Sequence, residues 1–150
     1  MTSMSPEAAG FGWLLENFVK SVPGVRHTLV VSADGLLMAM SDDLDRTSGD
    51  QLSAIVAGLS SLTRGAARQL RSGEVRQSIV ETDTAFVVLM TISDGSVLAV
   101  VADAACDVGL VGYEMAMLVS RTESTLTPQL VSEMRANLPV AGPTRAAVGG

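Results

Sequence analysis

Little in this chain offers chemistry. It holds one histidine (His27), one cysteine (Cys106) and one lysine (Lys20) among 150 residues. With one histidine, any Ser-His-Asp or Cys-His arrangement must use His27. One cysteine excludes an internal disulfide framework and suits a reducing compartment. A net charge of −6 with a single lysine argues against a phosphate-tracking nucleic-acid surface or a polybasic membrane patch. Aromatic residues make up only 3% although hydrophobic residues reach 47%, so the core must be aliphatic and no aromatic sugar platform is available. Neither GxxxxGK nor GxGxxG occurs, which removes both common nucleotide-binding loops. No apolar run reaches the ~18 residues of a spanning helix, and the opening MTSMSPEAAG lacks the basic region of a signal peptide. The expectation is a soluble, cytoplasmic protein without cofactor or metal.

What is present is periodic. A chain of this length is read as one domain that buries roughly 70% of its unfolded surface. Ser5-Pro6-Glu7 offers a helix start, and Phe11, Leu14, Leu15, Phe18 and Val22 recur at helical spacing until Pro23-Gly24. Two short aliphatic runs then flank Asp34-Gly35, a two-residue hairpin signal. That register sets Val31 opposite Met38, Leu29 opposite Met40 and Val30 opposite Ala39. A long central helix follows, with Ser48 and Gln51 as a capping box and Gly73 as its stop. On it Leu52, Ile55, Leu59, Leu62, Ala66 and Leu70 form one stripe. Ala54, Gly58, Ser61 and Gly65 form a second, small-residue stripe.

Two glycines in a helix interior cost up to about 1 kcal/mol each against alanine, which suggests that another backbone comes close there. That backbone is either a partner's helix or this protein's own sheet. Strands are expected at 74–81, an edge, at 84–92, central and covered on both faces, and at 96–102. Asp94-Gly95 joins the last two. Asp107 caps a helix bearing Val108, Val111, Met115, Leu118 and Val119, with a kink or restart at Thr127-Pro128. The order is α-β-β-α-β-β-β-α, an α+β arrangement with an antiparallel meander and helices on both faces.

Candidate sites weigh against catalysis. His27 shares a strand face with Leu29 and Val31, as a sheet histidine with a local hydrogen bond would. Cys106 precedes a helix start whose dipole could lower its pKa, although a small buried hydrophobe is the commoner role. "SDDLDRTSGD" resembles a calcium loop only in charge, lacking the central glycine and terminal glutamate. Arg64, Arg68 and Arg71 make one basic side of the long helix, which solvation and pairing within the helix would explain. A pairable edge strand and a small-residue helix stripe point to association.

The segments "WLLENFVKSVPGVRHTLVVSADGLLMA", "LSAIVAGLSSLTRGAARQL" and "DVGLVGYEMAMLV" together resemble the bacterial roadblock (dynein light chain) family. The resemblance is to the actinobacterial branch encoded beside small Ras-like GTPases in conservon clusters. It implies a profilin-like roadblock domain over residues 1–137, with its core at 8–135; the Pro/Gly/Ala-rich composition of 138–150 is separately expected to leave a disordered tail. The resemblance further implies a five-stranded antiparallel sheet sandwiched between helices, the central helix on one face. Family members pair their central helices antiparallel and their third strands edge to edge. Carried over, the homodimer surface is Ala54, Gly58, Ser61, Gly65 and Arg68 with Arg76, Ser78 and Val80. The implied function is a non-catalytic regulator that docks a small Ras-like GTPase, as MglB-type dimers do when they accelerate hydrolysis. A sensor-kinase-like protein is a further candidate partner, through which a membrane could be reached without direct insertion. Neither Arg64 nor Arg68 is assigned a catalytic role. The competing expectation is a small-molecule-sensing PAS-like or profilin-like domain, which would need a cavity with convergent polar groups. An enzyme would need a titratable constellation that the residues do not supply.

Overall fold

The computed structural model of the protein describes residues 6–92, 95–123, 128–136 and 138–139. Among these the elements run α1 (Pro6–Ser21), β1 (Val25–Val31), β2 (Leu37–Met40), α2 (Arg46–Leu70), β3 (Gln77–Glu81), β4 (Ala85–Thr91), β5 (Val97–Asp103), α3 (Val108–Thr122) and α4 (Pro128–Ala136). The expected restart is present as α4, a separate helix beginning at Pro128. The expected caps Ser5 and Thr127, the turn residue Asp94 and tail residues 140–150 lie outside the described residues.

The five strands form one antiparallel sheet in the order β2-β1-β5-β4-β3. β3, β4 and β5 make the expected meander, but β1 joins the far side of β5, so chain order is broken there. The central strand is therefore β5, not β4. Its first four residues are all buried, whereas on β4 only Val88 and Leu89 are. Alternation assigns the two faces. Val88, Ile92, Leu98, Val100 and Ala102 pack under α1, α3 and α4, through Leu15, Phe18, Val111, Met115, Leu118 and Met134. Leu29, Val31, Leu89, Val97 and Ala99 pack under α2, through Val56. Each valine, leucine, isoleucine, phenylalanine or methionine among them withdrawn from water contributes about 1.5–3 kcal/mol.

The first hairpin differs from the expected register at its tip. Leu29 pairs with Met40 and Val30 with Ala39, but Val31 pairs with Leu37. A bulge follows, and Met38 turns with Ala39 towards the α1 face while Leu37 joins Leu29 and Val31 under α2. The cause is a longer turn than Asp-Gly alone suggested. Ser32 N–H donates to the Leu36 carbonyl at 2.8 Å, and Gly35, at φ +86°, donates to the Ser32 carbonyl at 2.9 Å. Glycine supplies the left-handed residue that closes such a loop.

The ends of α2 also moved. Its N-cap is Asp45, without a side-chain cap bond, so Ser48 and Gln51 lie inside the helix and form no capping box. It ends at Arg71, a non-glycine residue at φ +51°, where Arg71 and Ser72 N–H groups reach the carbonyls of Arg68 and Ala67 at 3.1 Å each. Gly73 continues the turn at φ +90°. For α3 the expected cap is present: Asp107 Oδ1 accepts from Leu110 N–H at 3.1 Å. Asp107→Ala should lower stability by about 0.5–2 kcal/mol, measured by urea denaturation, and Asp107→Asn should restore most of it.

Candidate interaction surface

The titratable groups are scattered. His27 Nδ1 lies 3.1 Å from Asp43 Oδ2. The nitrogen is buried without a hydrogen bond of acceptable alignment, so the two side chains lie close without forming an aligned base–acid pair. Asp34, the acid that shares its hairpin, is engaged elsewhere: it accepts from the Ser32 hydroxyl and from Arg135 Nη2, 3.3 Å away on α4. The Cys106 thiol does not follow the helix-start expectation. Burial, then the carboxylates of Asp103 and Asp107, push its pKa up, so a reactive thiolate is disfavoured. The acids of residues 42–50 have local partners: Asp43 accepts from Ser41 Oγ at 3.0 Å, and Asp50 pairs with Arg46 at 3.0 Å. Among the described residues, no group of three or more metal-ligating side chains forms, and no helix is long and apolar enough to cross a membrane.

Asp34 gives a pH prediction. The Ser32 hydroxyl and the Arg135 guanidinium together hold its carboxyl below the ordinary carboxylate range. Folding thus favours the ionised form, and its contribution is present above the unfolded pKa of about 3.9 and lost as pH falls through the folded value. Acid titration followed by carboxyl NMR should place Asp34 among the lowest aspartates. Arg135→Gln should return it towards the ordinary range.

The conspicuous surface belongs to α2 and β3. α2 rests mainly on β1, β2 and β5. It meets the sheet through Gly49, Ser53, Val56 and Ser60, all buried, with Leu52 and Leu59 partly so. The expected apolar stripe is therefore split. Ile55 is 63% exposed and Leu62 and Leu70 are each 74% exposed. Gly49, Ser53 and Ser60 let α2 lie close on the sheet, with Val56 fully and Leu52 and Leu59 partly packed beside them, and Ser53 hides its hydroxyl by donating to the Gly49 carbonyl at 2.8 Å.

On the small-residue stripe Ala54, Gly58 and Ser61 are exposed and Gly65 is half-buried. A Cβ placed on Gly58 would meet no described atom within 4 Å, so this chain's own sheet does not account for that glycine. β3 is the sheet edge and pairs only with β4. Ser78 opposite Leu89 and Val80 opposite Val87 place both residues on the α2 side of the sheet, where Val80 is exposed and Ser78 half-buried. Ile79, 47% exposed, faces the other way.

Arg68 and Arg76, the other two expected contact residues, are both exposed and meet elsewhere. β3 begins at Gln77, so Arg76 precedes the strand that was expected to contain it. With Arg64 it and Arg68 line a groove of about 900 Å³ at the C-terminal end of α2, which also takes in Gly73, Glu74 and Glu123. Sequence spacing indicated a basic helix side but not this groove. The signal for it is the Arg-Ser-Gly turn that folds the chain back after Leu70. The exposure of Ile55 and Leu62 was also missed, because helical spacing placed them on one stripe with Leu52 and Leu59 without saying what meets it.

Comparison with known proteins identifies the family and the fold. The family model described as Roadblock/LC7 domain matches residues 11–102. A Roadblock/LC7 domain from Streptomyces avermitilis is 37% identical, with a TM-score of 0.72, covering 75% of this chain and 94% of that one. MglB from Myxococcus xanthus is 16% identical at a TM-score of 0.71, covering 77% and 93% of the two chains, and shares the fold. So does the gliding protein MglB from Thermus thermophilus, 15% identical at a TM-score of 0.72, covering 83% and 94%. No curated protein matches the chain.

Proposed function

The chain belongs to the Roadblock/LC7 family, and from that premise we propose that it is a homodimeric, non-catalytic regulator or scaffold for a small Ras-like GTPase. The observation that carries the reading is the pairing of two unfinished surfaces. α2 presents Ile55 and Leu62 beside an open Gly58, and β3 presents an unpaired edge with Val80 on the α2 side of the sheet. Exposed apolar side chains next to a bare strand edge are a liability for a lone chain and a complementary site for a second one. A two-fold axis would bring both features together with their own copies, since an isologous interface uses the same patch twice. The proposed contacts are Ala54, Gly58, Ser61, Gly65, Ser78 and Val80, with Arg68 and Arg76 at the margin. The GTPase enters through the sequence's likeness to roadblock proteins that regulate such partners, and the scattered titratable groups support a role in binding over turnover.

Light scattering should give twice the 15.5 kDa chain mass at micromolar concentration. The immobilised protein should capture a small Ras-like GTPase in one nucleotide state in preference to the other. A monomer that ignores both the GDP-bound and GTP-analogue-bound forms would end this reading.

A further inference from the structure

The arginine-lined groove is a separate feature. Arg64 and Arg68 lie one turn apart on α2, and Arg76 lines the same groove from the segment leading into β3. Elsewhere in the chain Arg26, Arg46 and Arg135 each have a carboxylate partner. Among the described residues Arg64, Arg68 and Arg76 have none; Arg71 and Arg121 have none either, but they do not line the groove. We infer that this groove is a binding site for a compact phosphate-bearing anion.

Several features fit that ligand. A guanidinium is a planar, permanently charged fork of donors that matches phosphate oxygens two at a time. At about 900 Å³ the groove has ample room for such an anion, so its size admits the ligand and the arginines select it. No aromatic side chain lines the groove, so it offers nothing for a nucleobase to stack on and reads the phosphate alone. The carbonyls at the end of α2 would repel an anion if bare. Those of Ala67 and Arg68 are occupied, by Ser72 and Arg71 N–H groups. Glu74 and Glu123 also line the groove and are exposed, so they set a limit on how much negative charge it accepts. An extended acidic peptide fits less well, because the apolar lining, chiefly Val75 and the buried Ile92, offers few anchors. The groove is formed by one chain's residues, but Arg68 and Arg76 are also proposed dimer contacts, so the oligomeric state of each variant is part of the test.

Calorimetric titration of the full chain with inorganic pyrophosphate at low salt tests the inference. One pyrophosphate per chain is expected, with binding weakened by added chloride. Arg64→Gln should weaken it about tenfold or more, as loss of a hydrogen bond to a charged group does. Arg71→Gln makes the same change in net charge just outside the groove lining and should weaken it by less than about threefold, since exposed charges are screened. Glu123→Gln should tighten binding. Circular dichroism and light scattering on each variant separate these effects from unfolding or loss of association. Absence of heat at millimolar pyrophosphate overturns the proposal, as does an equal loss in Arg64→Gln and Arg71→Gln. If Arg64→Gln instead dissociates an oligomer that pyrophosphate leaves untouched, the groove holds an acidic segment of a second copy, and the proposal is likewise overturned.

Discussion

Gly58→Leu is expected to separate two copies of the chain while leaving each one folded. In the single chain nothing described lies within 4 Å of a Cβ at this position, so the leucine has room and the helix gains a better helix former. Across a two-fold interface the same side chain is inserted twice where the backbones come close. Overpacking costs about 1–3 kcal/mol per insertion, so about 2–6 kcal/mol per dimer. That corresponds to a dissociation constant weaker by roughly thirty-fold to more than ten-thousand-fold. Sedimentation across a concentration series measures it, with far-UV circular dichroism as the folding control. Dimerisation unchanged in this variant would remove the α2 stripe from the interface and leave only the β3 edge to carry it.

Leu98→Ala should give the largest loss of stability of any conservative truncation considered. Leu98 lies on β5, the strand with two neighbours on each side, and is 2% exposed among Leu15, Val111 and Met115. Removing a buried leucine side chain costs about 2–5 kcal/mol, a large part of the about 5–15 kcal/mol that holds an ordinary domain folded. Leu62→Ala is the matched control: at 74% exposure its truncation should shift the urea midpoint of the monomer little. Because association adds to apparent stability by mass action, both variants belong at one protein concentration. In a dimer, Leu62→Ala should then weaken association while Leu98→Ala weakens folding. A comparable loss of folding stability in the two monomers would contradict the burial assigned to these leucines.

The pairing of these leucines states how far the sequence could be read. Leu59 and Leu62 occupy the same helical pattern, yet one packs against the core and the other faces out. Periodicity identifies residues that share a side of a helix. It does not say whether the sheet, solvent or a second chain meets that side. The candidate interface was legible only in outline: Gly58 and the β3 edge could be picked out from spacing and polarity, whereas the exposure of Ile55 and Leu62 depended on where α2 sits. The Arg64–Arg76 groove was not legible, because it joins residues on either side of a turn whose direction is set by Arg71 in a left-handed conformation.

By itself the sequence determined the kinds and order of its elements. The run 84–92 was read as covered on both faces, and it does send Phe86, Val88, Met90 and Ile92 to one layer and Val87 and Leu89 to the other, while Asp107 marked the start of α3. Those are local properties: side chains alternate along any strand, and a cap bonds within its own first turn. The tertiary structure alone decided that β1 pairs with β5, that β5 is central, that Met38 turns across the sheet and that α2 sits on its small residues. Each of these depends on contacts between residues distant in the chain, where packing of whole layers outweighs the preference of any single segment.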